Sequence, residues 1–384
     1  FGPGEQDLAK ARWFGREGKL DAAEEEYRSA LARNPDLRAG WLELFELQRR
    51  GGRMEAALET AAAAAAHFGP DAAMPLAMRG AALTELGRTR EAIGALEAAL
   101  ERDGNLALAW HELAYAAFRS GEFSRALLAL DRAFMLEPHT DTLMLRGRVL
   151  REAGQYDAAE VAFEAAQQSA EHDIPRRDAE AEIAATRRAA TLGGKRPREF
   201  TYRERVFAES GAVVIDDGRS PVSETGASGL AALLATIIGA LPAIVQALER
   251  RPAAVAGVQA GDAPLAEAVA RASGAHLVAA AALDPADHPL LVTTVNQGGD
   301  DWTRQVSRLA RWRSGYTFAL AQTPEVAPSA DLVGTLRGGA EPVAVLDATV
   351  VALSRTGAET AVAAEVAALL SNPLTGWRRR VSPA

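Results

Sequence analysis

The sequence predicts two architectures in one chain: an α-helical solenoid, then an α/β domain with a mainly antiparallel sheet. Three observations lead there. A glycine recurs at Gly18, Gly52, Gly87, Gly121 and Gly154. Each is followed in fixed phase by a first alanine (Ala23, Ala57, Ala92, Ala126, Ala159) and a second (Ala30, Ala64, Ala99, Ala133, Ala166). The period is about 34 residues, the length of a helix–turn–helix unit that must stack to bury its apolar face. The composition then changes at Leu192-Gly-Gly-Lys-Arg-Pro197, and helical periodicity gives way to short apolar runs punctuated by Asp-Gly and Ser-Gly.

The fourth copy shows the local logic. Trp110, Leu113, Ala114 and Ala117 share one helical face, Gly121 makes the turn, and Ala126, Leu130 and Ala133 share one face of the second helix. Pro138 ends the pair. The first copy (Phe14, Gly18, Ala23, Tyr27, Ala30, Pro35) and the fifth (Gly147, Leu150, Gly154, Ala159, Phe163, Ala166) repeat the pattern. In copies two and three Ala61 and Leu96 stand at the aromatic position, and Gly104 stands at the proline position. A charged helix over about 177–190 is expected to close the stack. These positions resemble the tetratricopeptide repeat (TPR) family over residues 4–190. That resemblance implies a concave groove lined by the first helix of each pair, at Leu8, Arg12, Leu42, Glu46, Arg49, His111, Tyr115, Phe118, Met144, Arg148 and Arg151. Arginine forks hold carboxylates and aromatic rings anchor apolar side chains, so the expected ligand is a protein or peptide with acidic groups and an apolar anchor.

After a linker at 191–204, Ala212–Ile215 and Arg219–Glu224 read as two strands joined by Asp216-Asp217-Gly218. A helix is expected over Ser228–Arg250, then strands at Ala253–Gln259, Pro264–Ala270 and His276–Ala282. Gly211–Gly218 and Leu230–Ile237, in this hairpin–helix–three-strand order, resemble the roadblock/LC7 family, which includes the MglB proteins. The resemblance covers 205–283 and implies dimerisation and regulation of a Ras-like small GTPase. The remainder, 284–384, reads as a second α/β unit: an extra strand at Leu290–Val295, a helix at Asp301–Arg313, strands at Asp331–Leu336, Pro342–Leu346 and Val350–Ser354, and a helix at Ala358–Leu370. A rival resemblance joins Val258–Ala270 to Pro289–Gly299 as a phosphoribosyltransferase frame. Thr293 and Thr294 stand where that family carries its acidic pair, which implies a catalytically dead domain.

Composition narrows the function. The chain has 384 residues, 48% hydrophobic and 24% charged, with a formal charge of −9. An acidic balance argues against a sequence-independent nucleic-acid binder. Without cysteine there is no disulfide, thiolate metal site or cysteine nucleophile. Lysine occurs only at Lys10, Lys19 and Lys195, so nothing beyond 195 supplies a Schiff-base or phosphate-loop lysine. His67, His111, His139, His172, His276 and His288 show no metal-ligand spacing, and Asp216-Asp217 and Gly298-Gly299-Asp300-Asp301 read as turn and cap chemistry. No apolar run is long enough to span a membrane, and no signal pattern opens the chain, so the cytoplasm is the expected location. The sequence thus points to a non-enzymatic adaptor with no cofactor or metal, whose groove recruits a partner and whose second half dimerises or engages a small GTPase. A pure assembly scaffold and a degenerate phosphoribosyltransferase-type domain are the alternatives.

Overall fold

The computed structural model describes residues 2–215, positions 237, 240–241, 243–246 and 248, and residues 250–296, 299–312, 314–322 and 330–336. The chain forms two compact units, Phe1–Ala181 and Glu182–Ala384. The first is built of helix pairs: α1 (Glu5–Arg16) with α2 (Leu20–Arg33), α3 (Arg38–Arg50) with α4 (Met54–Phe68), and α5 (Ala73–Glu85) with α6 (Thr89–Arg102). Two more follow, α7 (Ala107–Arg119) with α8 (Phe123–Leu136) and α9 (Thr140–Glu152) with α10 (Tyr156–Ser169). The closing helix α11 begins before its expected start and spans Asp173–Ala190. The boundary between the units falls inside it, not in the expected 191–204 linker.

The recurring glycine is required by its backbone, not by crowding. All five lie in the left-handed region, with φ between 71° and 81°. At Gly18, Gly52, Gly87 and Gly121 an added Cβ would meet nothing within 4 Å. An L side chain there costs about 1–2 kcal/mol through its own backbone strain. The alanine rows, by contrast, are set by space. Ala23, Ala57, Ala92, Ala126 and Ala159 are wholly buried.

Within each pair, one position on the first helix opposes one on the second, and their volumes compensate. Gly80 faces Leu96 and Gly147 faces Phe163, where an added Cβ would come within 2.5 Å of the opposing side chain. Ala114 with Leu130 and Ala11 with Tyr27 occupy the same phase. The second repeat inverts the arrangement: Phe45 is the large residue and Ala61 the small one, both buried in one cluster. The missing aromatic at Ala61 is therefore a swap across the interface, not a gap. Gly104 likewise keeps the role of the proline it replaces. Its carbonyl accepts from Trp110 Nε1 at 2.9 Å, as the Pro35 carbonyl accepts from Trp41 Nε1 at 2.8 Å.

The second unit departs from the expected sheet. Helix α12 (Tyr202–Ser210) starts with a reciprocal cap: Glu204 N donates to Thr201 Oγ1 and Thr201 N donates to Glu204 Oε2. Arg188 ends it by donating to the carbonyls of Ala208 and Glu209. The described strands are β1 (Val213–Val214), β2 (Ala254–Gly257), β3 (His276–Leu277), β4 (Leu290–Asn296), β5 (Tyr316–Gln322) and β6 (Leu332–Leu336), with helices α13 (Ala263–Ser273) and α14 (Asp300–Trp312) between them. Their order is β1-β6-β5-β4-β2-β3. Every pairing is parallel, not antiparallel.

The physical reason lies in the crossovers. Parallel neighbours need a long connection, usually a helix, and α13 and α14 supply it. Pro264–Ala270, expected as a strand, is part of α13. Its buried Leu265, Ala266, Val269 and Ala270 follow helical spacing, proline sits in the first turn, and Gly274 closes the helix at φ 71°. The strand of His276–Ala282 shrinks to its first two residues, with a 3-10 turn at Ala280–Ala282. Val213–Val214 pairs with β6, and Arg219–Glu224 lies outside the described residues. So do most of Ser228–Arg250 and all of Pro342–Leu346, Val350–Ser354 and Ala358–Leu370; within the first of these, the described positions 237, 240–241 and 243–246 are helical. Among the described residues, strands from both sides of position 283 share one sheet. Leu290–Asn296 is a central strand with Leu290, Leu291 and Val292 fully buried, not an extra one. Between β5 and β6 the buried Asp331 Oδ2 accepts from both Thr317 N and Thr317 Oγ1 at 2.8 Å.

The interlock of Gly147 and Phe163 gives a direct test. Gly147→Ala gains helix propensity but drives a methyl into a ring with no space to yield, and it should lower unfolding stability by about 1–3 kcal/mol. Gly94→Ala, on α6 where an added Cβ meets nothing, should be neutral or stabilising by up to about 1 kcal/mol. Urea denaturation of both variants reads the difference.

Candidate functional site: the inner groove

A pocket of about 390 Å³ opens on one side of the first unit. Its walls come from Arg49 (α3), Glu85 (α5), His111, Glu112 and Tyr115 (α7), Asp141, Met144, Leu145 and Arg148 (α9), and Pro175 and Asp178 (α11). Each lies on the first helix of its pair or on the closing helix, so those helices share one face of the stack. α5 makes this possible by presenting little bulk. Ala77, Ala81 and Thr84, in phase with the groove positions of the other repeats, are all buried.

Across that low saddle Arg49 reaches three carboxylates. Its Nη1 donates to Glu46 Oε1 at 2.9 Å and to Glu112 Oε1 at 2.8 Å, and Nη2 lies 3.6 Å from Glu85 Oε1. One guanidinium thus ties α3, α5 and α7 together. Burial works against its charge, but the carboxylates of Glu112 and Glu46 outweigh this and hold Arg49 above the ordinary arginine range. Burial pushes the Glu112 carboxyl up, and Arg49 pulls it back only in part. Glu112 is 4% exposed, and its Oε2 has no hydrogen-bond partner. Burial also lowers the His111 imidazole below its ordinary value, leaving it neutral at pH 7, with Nδ1 3.3 Å from Thr142 Oγ1.

A second pocket, of about 600 Å³, lies at the α1–α3 end and includes Arg12, Tyr27, Leu42 and Glu43. Arg12 grips Glu43 through two bonds, Nε to Oε2 at 2.8 Å and Nη2 to Oε1 at 2.6 Å. Tyr27 Oη donates to the same carboxylate at 3.1 Å. Burial first, then the Glu43 charge, raises the Tyr27 phenol to about 12.

Of the residues expected from sequence, Arg49, His111, Tyr115, Met144 and Arg148 meet in the central pocket, while Arg12 and Leu42 line the terminal one. Leu8 is buried in the core, and Glu46 serves Arg49. Phe118 packs against Phe123 at 6.3 Å between ring centroids, and Arg151 lies over the Phe163 ring at 5.6 Å, so neither stands among the central pocket's walls. Arg12 and Arg49, expected to meet a partner's carboxylates, are both engaged by glutamates of the chain itself. Sequence reasoning missed Glu85, Glu112, Asp141 and Asp178. Asp178 stood in phase with His111 and Met144, and Glu112 sits beside His111 on the same helix face. Among the described residues no group of His, Asp or Glu is arranged to hold a metal ion, and no helix is long and apolar enough to cross a membrane.

No protein-family model and no curated protein matches the chain. Among solved structures, a thermophilic TPR protein from Thermus thermophilus is similar at 20% identity and TM-score 0.42, over 48% of this chain and 98% of that one. PilW, a type IV pilus biogenesis factor, is similar at 20% identity and TM-score 0.38, over 48% and 92%. MamA from Desulfovibrio magneticus is similar at 15% identity and TM-score 0.33, over 43% and 93%.

Replacing Arg49 by leucine leaves Glu112 buried without its cation and should lower stability by about 3–5 kcal/mol. The double variant Arg49→Leu with Glu112→Leu should recover much of that loss, because two apolar groups replace a buried pair. Chemical denaturation of the full cycle measures the coupling. On helix pairing, repeat phase and turn geometry, residues 5–169 form a stack of TPR-like helical repeats.

Proposed function

We propose that the chain is a non-catalytic interaction adaptor whose first unit holds a segment of another protein along its inner face. The observation that carries this reading is the central pocket itself. It draws walls from four repeat helices and the closing helix, combines the Tyr115 ring and the Met144 thioether with charged groups, and includes a buried carboxylate oxygen without a donor. Its lining is mostly polar, with Tyr115, Met144, Leu145 and Pro175 as the apolar part, and aromatic side chains act as anchors in such sites. The second unit supplies a separate α/β module.

The sheet's parallel order removes the hairpin–helix–three-strand frame on which small-GTPase regulation and dimerisation rested, so neither belongs to this reading. The degenerate phosphoribosyltransferase alternative keeps one observation in its favour. β2, the loop at 258–262, α13 and the neighbouring β4 form a strand–loop–helix–strand arrangement in a parallel sheet. The chain order reverses there, with β3 on one side of β2 and β4 on the other, which is where parallel α/β sheets take ligands. The loop's acid is already braced, however: Asp262 accepts from Gln259 N at 2.9 Å and from Thr293 Oγ1.

The test compares two faces of the first unit in the immobilised full chain. Tyr115→Ala with Met144→Ala should reduce retention of a captured protein partner about tenfold or more, as expected when central anchors are truncated. Leu128→Glu with Val161→Glu changes two exposed apolar positions on α8 and α10 and should leave retention unchanged. The reverse pattern, read by quantitative mass spectrometry, would move the binding surface to those outer helices.

A further inference from the structure

The central pocket is anionic, and its charges say what kind of side chain it takes. Its cations are Arg49 and Arg148; His111 is neutral at pH 7. Against them stand Glu85, Glu112, Asp141 and Asp178 in the walls, with Glu46 also on Arg49. Arg49 is already shared among three carboxylates, so the pocket holds more negative charge than its own cations answer. Independently of that excess, Glu112 Oε2 is buried in the wall with no donor. A buried carboxylate oxygen left without a donor is costly and is satisfied by an incoming N–H.

Resting on the reading of the groove as a site for a protein segment, we propose that this pocket receives a cationic side chain, an arginine or lysine of an extended partner. The head group takes its place among Glu85, Asp141 and Asp178 and supplies the donor that Glu112 lacks. The aliphatic stem lies on Tyr115 and Met144, in the way long basic side chains cover apolar surface while their charge stays with polar groups. A carboxylate in the same place would meet like charge and find Arg49 already engaged.

The experiment selects from a displayed library of random 12-residue peptides on the immobilised full chain, then measures the enriched peptides by fluorescence anisotropy. The proposal expects arginine or lysine at one fixed position. It also expects affinity to weaken about tenfold in the variant Asp141→Asn, Asp178→Asn, whose side chains are exposed and whose helicity is checked by circular dichroism. Affinity of the wild-type chain should fall as sodium chloride rises from about 0.05 M to about 0.5 M, a readout that needs no variant. Enriched peptides that Tyr115→Ala abolishes but that carry acidic or uncharged residues at the fixed position would overturn the cationic assignment and leave the groove reading intact. Absence of any enriched peptide sensitive to Tyr115→Ala would overturn both.

Discussion

The helices of each pair cross so closely that large side chains cannot occupy both sides of the contact. This constraint organises the whole first unit. Where the second helix carries Phe163 or Leu96, the first must carry Gly147 or Gly80, and where Phe45 takes the space, Ala61 gives it up. Close-packed interiors tolerate such exchanges only when total volume is kept. The alanine rows follow from the same requirement, and the repeating phase follows from the alanine rows. The function follows further down the chain of consequences. Because the α5 groove face is as small as Ala77 and Ala81, Arg49 can pass over it and reach Glu112 on the next inner helix.

That reach sets the electrostatics of the groove. A guanidinium shared by Glu46, Glu85 and Glu112 is a structural tie between repeats, and the same is true of Arg12 with Glu43 and Tyr27 at the end of the stack. Arginines that line a groove are therefore not thereby available to a ligand. On the proposed reading, what remains for a ligand is the surplus on the other side of the balance: Asp141 and Asp178, beside Tyr115 and Met144. Ion pairs at exposed sites contribute little on their own, so a charge-lined pocket acts chiefly by choosing between partners of opposite charge.

The solenoid was legible because its information is periodic: five glycines and ten alanines in register give phase, helix boundaries and the groove face at once. The charge pairing was not, because Arg49 and Glu112 lie 63 residues apart on different repeats and meet only across the small face of α5. The sheet failed for a different reason. A strand buried on both faces, such as Leu290–Val292, shows no alternation, so its neighbours' direction leaves no mark in sequence. Pro264–Ala270 was ambiguous as a short apolar run, and its identity as α13 rests on the proline and glycine that open and close it. β5 at Tyr316–Gln322 went unread although Tyr316, Thr317 and Phe318 are strong strand formers and Ser314-Gly315, with Gly315 at φ 95°, marks the turn before them.

The central claim, that the inner helices carry the binding surface, is tested most directly by hydrogen–deuterium exchange of the full chain with and without a saturating selected peptide. The account predicts slowed exchange on α3, α5, α7 and α9 with α8 and α10 unchanged. Protection confined to α8 and α10, around the exposed Leu128, Met135 and Val161, would contradict it.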